Sequence, residues 1–329
     1  MKNLLNNYKL LFLLFVGTMT ISCNDNDDAP ALNPELGTIA EIAIDSPDLS
    51  NLVAALGAAD GDLVTTLSGG EFTVLAPTNA AFETFLSENN FESLGDVPTD
   101  LLANILLNHV IAGSVSSTDL ATLGAGYSST NATNADGDNL SLYFNTSDGV
   151  VFNGISRVST ADVSASNGVV HVVDAVIGLP TVVTFAEADP TFETLVAALT
   201  REDHEEDFIT LLSSSDEPAP FTLFAPTNAA FADLLSSLGL SSLDEIGLTL
   251  LEYVLGMHVI TESNYRSGDL TEGMTAVTVG DETITISLIP DPNITDPNGF
   301  VSNIIVVDVQ AMNGVVHAVD KVILPLLED

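Results

Sequence analysis

Apolar residues recur at helical spacing near the start of both halves of the chain. Four segments place apolar side chains three or four positions apart, which predicts amphipathic helices. These segments are residues 39–44, 49–56, 182–188 and 192–199. In the middle of each half, a leucine-rich segment predicts one further helix, at residues 101–107 and 248–255.

The last third of each half changes to β-branched or alternating residues, a pattern typical of strands. The predicted strands are residues 140–144, 150–152, 283–288 and 304–307. An Asp-Gly pair in residues 146–149 predicts a hairpin turn, and residues 290–299 predict a longer turn at the equivalent place. Helices followed by strands favour an α+β fold over a parallel α/β sheet.

Three motifs occur twice, in the same order. Residues 72–82, Phe-Thr-Val-Leu-Ala-Pro-Thr-Asn-Ala-Ala-Phe, return at residues 221–231 with 9 of 11 positions identical. His-Val-Ile returns 149 residues after His109, and the Asn-Gly-Val-Val-His motif ending at His171 returns 146 residues later. Solenoid repeats have periods of only about 20–50 residues, so each copy is predicted to be a complete domain with its own core.

The duplication sets the predicted domain boundaries. Residues 37–180 form the first domain and residues 181–329 the second, with almost no linker between them. Because the join is so short, we expect the two domains to pack in a restricted orientation. Residues 200–220 hold 6 more residues than their counterpart and contain His204 in an acidic stretch. We expect a solvated loop there, with a contribution to cation binding as the alternative.

The Ala-Pro-Thr-Asn motif predicts a strand end followed by a helix cap. Proline cannot donate a ladder hydrogen bond, so it ends a short buried strand. Either the threonine or the asparagine that follows caps the next helix, which contributes about 1 kcal/mol. The structural residues of this motif are Pro77, Thr78, Asn79, Pro226, Thr227 and Asn228.

The Asn-Gly-Val-Val-His motif predicts a turn that enters a buried strand. Asp174 and Asp320 follow its histidines by three residues and either orient the imidazole or pair with backbone donors. No histidine lies beside Cys or carboxylates at the spacing of a metal site. We therefore expect hydrogen-bonded core histidines and no metal at the four repeat-equivalent positions, His109, His171, His258 and His317.

Together these motifs resemble the fasciclin domain family, and the resemblance covers nearly the whole chain after its N-terminal segment. It implies a wedge-shaped β-sandwich of about seven strands with several helices in each domain. It also implies a secreted or surface-bound adhesion protein. His109 and His258 lie in the family's central motif and, with the nearby Tyr253, are the candidate binding residues. Animal adhesion members often carry Tyr before this histidine, where the chain has Asn108 and Met257.

The N-terminal segment resembles a bacterial lipoprotein signal. Residues 1–22 combine Lys2 and Lys9 with a short apolar run that is too short to span a bilayer. Cys23 is the only cysteine and is the predicted lipidation site; cleavage by ordinary signal peptidase is the alternative. Residues 23–36 are an acidic tether, which resembles a surface-export signal or serves as a solvated linker. The expected location is the outer membrane, lipid-anchored and surface-exposed.

Charge narrows the set of partners. Removal of the signal leaves 4 basic and 46 acidic residues, a formal charge of −42 that repels nucleic acid and anionic head groups. Carboxylates and amides near Asp136, Asp138 and residues 291–298 are the oxygen ligands that calcium prefers, although neither loop has EF-hand spacing. Weak calcium binding therefore competes with ordinary exposed turns, and no cofactor is expected.

The sequence shows no phosphate loop, nucleophile elbow or zinc motif, so we expect a protein that is not an enzyme. The main interpretation is adhesion or matrix binding, with a polysaccharide, a matrix protein or another cell surface as the partner. Two alternatives are a carrier of a small apolar ligand and a structural envelope protein without a specific ligand. An apolar surface groove would favour the carrier.

Overall fold

The computed structural model describes residues 36–204 and 207–327, and the chain from Leu36 onward forms one compact unit. The predicted signal segment, Cys23 and nearly all of the tether lie outside the described residues. We use repeat 1 for residues 37–180 and repeat 2 for residues 181–327.

Repeat 1 alternates helices and strands before ending in a run of strands. Its helices are α1 (Ile39–Asp45), α2 (Ser50–Ala58), α3 (Leu63–Ser68), α4 (Asn79–Glu88), α5 (Thr99–Leu107) and α6 (Ser117–Leu123). Its strands are β1 (Phe72–Pro77), β2 (Val110–Ala112), β3 (Ala125–Thr133), β4 (Asn139–Asn145), β5 (Val151–Phe152), β6 (Ser156–Ala165) and β7 (Gly168–Val173).

Repeat 2 also has seven strands, in corresponding places along the chain. Its helices are α7 (Val182–Ala188), α8 (Glu193–Leu199), α9 (Phe208–Ser213), α10 (Asn228–Leu238) and α11 (Leu248–Gly256). Its strands are β8 (Phe221–Pro226), β9 (Val259–Ile260), β10 (Thr275–Val277), β11 (Thr283–Ser287), β12 (Asn293–Thr295), β13 (Val301–Ala311) and β14 (Gly314–Val319). The helices and strands predicted from the sequence pattern coincide with or lie within these elements, except that four of them extend one residue further, at Leu49, Val150, Phe192 and Leu288.

Each repeat has a seven-stranded, barrel-like sheet with several helices, which confirms the predicted α+β fold and the strand number that the resemblance implies. In repeat 1 the strands follow chain order and close into a barrel; in repeat 2 the order is β10-β11-β12-β13-β14-β8-β9. The difference lies in one strand. The nine-residue β3 reaches β2 through Ile111 and Thr130, whereas its three-residue counterpart β10 stops short of β9.

A parallel strand pair in each sheet joins two of the repeated motifs. Strand β1 pairs with β7, and β8 pairs with β14. Gly168 and Gly314 begin the second strand of each pair at φ +141° and +152°. A Cβ there would lie 1.8 Å from the Phe72 carbonyl oxygen or 2.1 Å from that of Phe221, so only glycine fits the motif.

The motif asparagine before each of these glycines ties the first helix of its repeat to the sheet. The Asn167 Oδ1 accepts a hydrogen bond from the Ile39 backbone N at 2.9 Å, and its Nδ2 donates to the Leu67 carbonyl at 2.7 Å. In repeat 2, Asn313 accepts from the Val182 backbone N at 2.9 Å. We call this arrangement the asparagine clamp.

The Ala-Pro-Thr-Asn motif divides its two polar roles between neighbouring residues. Thr78 and Thr227 are the helix caps, accepting from the backbone N three residues later at 3.2 and 3.3 Å. The Asn79 Oδ1 instead accepts from the Asn51 backbone N at 2.8 Å, and Asn228 accepts from that of Thr194 at 2.8 Å. The asparagines therefore hold α2 against the start of α4, and α8 against the start of α10.

One predicted turn is wrong. Residues 290–299 do not form a single long turn, because strand β12 lies within them. Ile294 of β12 is fully buried and pairs with Ile286 of β11, so burial of an apolar residue draws this segment into the sheet. The hairpin predicted at residues 146–149 does connect two antiparallel strands, β4 and β5.

Candidate binding surfaces

The two histidines of the central motif lie in the core and not on a binding surface. His109 is 2% exposed and His258 is 1% exposed. The His109 Nδ1 donates to the Ile105 carbonyl at 2.8 Å, and its Nε2 accepts from the Ile177 backbone N at 2.9 Å. His258 makes the same two bonds in repeat 2 at 2.7 and 2.9 Å. Burial lowers the pKa of both rings to about 4, so they are neutral and out of reach of a macromolecular partner.

The histidines of the Asn-Gly-Val-Val-His motif are also buried between backbone groups. The His171 Nδ1 accepts from the Asp162 backbone N at 3.2 Å and its Nε2 donates to the Val115 carbonyl at 2.9 Å. His317 makes the equivalent bonds, at 3.3 and 2.8 Å, and burial lowers its pKa. It also stacks on Phe224 with ring centroids 5.7 Å apart.

The aspartates three residues further along do not orient these rings. Asp174 accepts from the Arg157 backbone N at 2.7 Å, and Asp320 accepts from the backbone N of Asn303 at 2.7 Å. Of the two roles that the sequence left open, the structure therefore shows pairing with backbone donors. Each aspartate fixes the spacing between the two long strands at the end of its repeat.

His204 differs from its expected place in a solvated loop. Its side chain is only 4% exposed and packs edge-on against Phe208 with ring centroids 5.1 Å apart. The Nε2 donates to the Ala198 carbonyl at 2.7 Å, and the Nδ1 lies 3.4 Å from a Glu252 carboxylate oxygen. Aromatic contact and a backbone acceptor therefore draw the ring inward, although the surrounding residues are acidic.

Tyr253 is the candidate binding residue that the structure leaves accessible. It lies on α11 and is 53% exposed.

The first candidate calcium loop, in repeat 1, contacts repeat 2 through its aspartates. Asp136 accepts from the Asn264 Nδ2 at 3.1 Å, and Asp138 pairs with Arg266. In the second loop, Asp296 accepts from backbone N atoms of its own turn. In the described ranges, no group of three or more potential metal-ligating side chains occurs.

An aromatic cluster lies between the two repeats. Tyr127 packs against Tyr143 with ring centroids 5.1 Å apart and meets the edge of Phe185 in repeat 2 at 5.8 Å. Its hydroxyl donates to the Asp189 carboxylate at 2.8 Å. Burial, and then the negative charge of Asp189, raise the pKa of Tyr127, so the hydroxyl remains a donor.

A polar cleft of about 420 Å³ opens beside this cluster, between the repeats. Its lining residues are Tyr127, Ser128, Ser129, Gly137, Asp138, Asn139, Ser141, Arg266, Asp308 and Gln310. The Gln310 backbone N donates to the Ser141 hydroxyl at 2.9 Å, and its Nε2 donates to the Asn264 side-chain oxygen at 2.9 Å. The buried Gln310 Oε1 has no hydrogen-bond partner among the described residues. We call this space the inter-repeat cleft.

Sequence reasoning did not identify the cleft or its aromatic neighbours. The signal that marks them is a break in the repeat symmetry. Tyr127 and Tyr143 are cross-strand partners in β3 and β4, whereas β10 and β11 contain no aromatic residue. A residue that differs between copies of otherwise matching strands indicates a surface with its own role.

The family model of the fasciclin domain matches residues 47–180 and 190–325. The chain belongs to the fasciclin-domain family. The solved structure of a FAS1 domain pair from the insect cell adhesion molecule Fasciclin I matches with a TM-score of 0.50 and 20% identity, covering 85% of this chain and 97% of that one. That likeness shows the fold of a fasciclin pair.

Curated relatives come from several kinds of organism. Protein sll1483 of Synechocystis is 40% identical over 141 residues, which are 43% of this chain and 72% of that protein. Cell surface glycolipoprotein MPB83 of Mycobacterium bovis is 45% identical over 83 residues, 24% of this chain and 36% of that protein. Human periostin is 28% identical over 271 residues, 78% of this chain and 28% of that protein. The chain therefore spans only about a third of the length of the last two.

Proposed function

We propose that this fasciclin protein is a lipid-anchored surface protein that binds a polysaccharide, a matrix protein or another cell surface. The names of its relatives support a surface role: MPB83 is a cell surface glycolipoprotein, and Fasciclin I is a cell adhesion molecule. The proposed anchor is Cys23 in the outer membrane. No helix among the described residues is long and apolar enough to cross a membrane.

The observation that carries the proposal is the direct packing of the two repeats around the inter-repeat cleft. Its serine hydroxyls, amides, carboxylates and one guanidinium offer both donors and acceptors. A hydroxyl-rich polymer requires both, whereas an apolar ligand would leave these groups unsatisfied. We therefore place the adhesive site in the cleft and favour a polysaccharide as its ligand.

A binding role without catalysis fits the state of the histidines. Each of the four repeat-equivalent rings uses both nitrogens on backbone groups inside the core. A general acid or base must reach its substrate, and these rings do not reach solvent. We expect weak binding by each copy. Many anchored copies would act together, since linked sites raise avidity by about 10²–10⁴ on a repeating target.

The adhesion test uses a gene deletion complemented with matched variants. Ser129 is an exposed strand residue in the cleft, and Ser164 is an exposed strand residue outside it. Deletion should reduce cell aggregation and attachment to polysaccharide-coated surfaces. Wild type and Ser164→Phe should restore attachment, and Ser129→Phe should not, because the ring fills the cleft. Full restoration by Ser129→Phe would remove the cleft from the proposal, and unchanged attachment after deletion would remove adhesion itself.

Two further experiments test the lipid anchor and the calcium dependence of attachment. Cys23→Ser should move the protein from the membrane to the soluble fraction, and mass spectrometry should find a lipid on Cys23 of the wild type. An unmodified N-terminus at Cys23 would contradict the anchor. Attachment that falls in a calcium chelator and returns with added calcium would support bridging to an anionic glycan.

A second candidate function is the carriage of a small apolar ligand. It is favoured by an open apolar groove on repeat 2, formed by α10, α11 and the C-terminal residues. The same groove counts against a purely structural envelope role, because exposed apolar surface usually marks a binding site.

A further inference from the structure

Repeat 2 carries an apolar groove of about 470 Å³ on the face formed by its last two helices. The volume lies within the range of about 300–1,000 Å³ of small-molecule sites. Leu238 at the end of α10 is 46% exposed, and Phe300 before β13 is 56% exposed. Leu250 of α11, Val301 of β13 and Leu327 complete the exposed apolar lining. We call this surface the repeat 2 groove.

One basic side chain lines the groove, and it is an exceptional one. The described residues contain four basic side chains, and the three arginines form ion pairs with Asp148, Asp203 and Asp138. Lys321 lines the groove, is exposed, and forms no ion pair with a described residue. Among the described residues of this acidic protein, the one Lys or Arg side chain without an ion pair therefore lies beside the repeat 2 groove.

The carboxylates near Lys321 leave its charge available. Its neighbour Asp320 accepts from the Asn303 backbone N and from the Asn303 Nδ2, both at 2.7 Å. Asp233 lines the same groove, but its carboxylate is not within ion-pair distance of the ammonium. The net charge of the protein is screened within about 8 Å at physiological ionic strength, so Lys321 sets the local preference.

Repeat 1 lacks these features at the equivalent positions. In repeat 2 the positions are Leu238, Phe300 and Lys321. In repeat 1 they are Asn89, Gly154 and Ala175. A Cβ on Gly154 would lie 3.4 Å from the Ala188 Cα, so repeat 1 uses this position for contact with repeat 2. The groove is therefore a property of repeat 2 and not of the fasciclin fold.

We propose that the repeat 2 groove binds a long-chain fatty acid, with the hydrocarbon chain along the groove and the carboxylate at Lys321. Apolar walls match the chain, because each buried methylene strengthens binding about fourfold. The lone ammonium matches the single negative charge of the head. A neutral lipid would use the apolar walls but leave Lys321 without a partner, and a second copy of the protein would add the repulsion between two strongly acidic chains. This site is distinct from the inter-repeat cleft.

The test measures palmitate binding by calorimetry to the full-length chain carrying Cys23→Ser, which removes the attachment point of its own acyl chain. Palmitate should bind, and dodecanoate, four methylenes shorter, should bind about 10²-fold more weakly. Lys321→Gln should weaken palmitate about two- to fivefold and leave hexadecanol unchanged. Lys321→Arg should retain palmitate affinity.

Leu238→Asn, which installs the repeat 1 residue, should weaken palmitate and hexadecanol alike. Its matched control is Leu123→Asn: both leucines end a helix, both are exposed, and a glycine with positive φ follows each. The control should leave both affinities unchanged, as should Ser129→Phe in the cleft.

Absence of palmitate binding, or equal affinity in wild type and Leu238→Asn, would overturn the proposal. If Lys321→Gln weakens palmitate and hexadecanol binding equally, Lys321 does not recognise the carboxylate, and that part of the proposal is wrong. Self-association in sedimentation that Leu238→Asn abolishes would assign the groove to a second copy instead. Loss of adhesion in Ser129→Phe with intact palmitate binding would show that the inter-repeat cleft and the repeat 2 groove function independently.

Discussion

The β3–β4 face of repeat 1 and the β10–β11 face of repeat 2 are both formed by antiparallel strand pairs but differ in chemistry. Tyr127 and Tyr143 form a cross-strand pair on the first face, and Tyr127 packs on Phe185. The strands of the second face contain no aromatic residue. The duplicated fold therefore does not dictate the surface, and the two repeats are not interchangeable modules.

The interior shows the opposite behaviour. The central histidines of the two repeats make the same pair of backbone bonds, at distances that agree within 0.1 Å. The threonine caps, the asparagine clamp and the glycine contacts are likewise repeated. Agreement between the repeats thus marks the scaffold, and disagreement marks the surfaces on which we place function.

The largest effect is expected from separating the repeats. Residues 36–180 and 181–329 should each unfold cooperatively in urea, since each half has its own core. Both should be less stable than the pair, because separation exposes Tyr127 on one side and the fully buried Phe185 on the other. A half that gives a disordered spectrum on its own would show that the duplication did not produce two autonomous domains.

The central histidines should be costly to remove, and equally so in both repeats. His109→Ala and His258→Ala each leave a buried backbone donor and acceptor without a partner, which should lower the free energy of unfolding by about 2–5 kcal/mol. Chemical denaturation at pH 7 measures both. A large difference between the two variants would contradict the equivalence of the interiors.

The same histidines predict a pH dependence. Burial lowers the pKa of His109 and His258 from 6.5 to about 4. Below pH 6.5 the two imidazoles bind protons in the unfolded chain but not in the folded one. The free energy of unfolding therefore falls as the pH decreases toward 4. The loss reaches about 3 kcal/mol per ring. His109→Gln should show a smaller stability difference between pH 7 and pH 4.5 than wild type does.

The aromatic contact can be tested by removing the Tyr127 ring from repeat 1. Tyr127→Thr should cost about 2–3 kcal/mol, because it removes ring packing and the hydroxyl bond to Asp189. Calorimetry should show the single thermal transition of the wild type split into two. Thr275→Tyr is a control on strand β10 of repeat 2 and should change little, because Thr275 is exposed. A single transition in Tyr127→Thr would mean that the polar contacts across the cleft suffice to couple the repeats.

The smallest effect is expected at the helix caps. Thr78→Ala and Thr227→Ala should each lower the free energy of unfolding by about 1 kcal/mol, since each leaves one helix N–H without its cap. Thr78→Ser, which keeps the hydroxyl, should stay close to wild type. Equal losses in the Ala and Ser variants would mean that the methyl group and not the cap supplies the stability.

The sequence predicted what is repeated and missed what is not. Helical spacing, alternating strands and the two proline-ended motifs indicated the elements, because these patterns follow from local periodicity and backbone chemistry. The turn at residues 290–299 failed because Ile294 is buried by a partner strand that local pattern does not reveal. His204 failed for a similar reason, since its environment depends on Phe208 and α8 and not on its acidic neighbours.

The surfaces were beyond local reasoning altogether. The inter-repeat cleft combines side chains from β3, β4 and β13, which meet only when the two repeats pack. The repeat 2 groove depends on Lys321 lying beside helices that are distant in sequence. In each case the sequence did contain the unequal residues, and a position-by-position comparison of the repeats would have pointed to them.

The asparagine clamp has a mechanical consequence under the proposed adhesion through an N-terminal anchor at Cys23. A pull through the tether enters the fold near Gly37, whose carbonyl accepts from the Ser166 backbone N at 2.9 Å. The next contact is Asn167, which grips the first turn of α1 and the end of α3. Force therefore passes directly into the hairpin of β6 and β7 before it can unwind a helix. Resistance to such a pull is set by the rate at which this junction opens and not by the equilibrium stability of the domain.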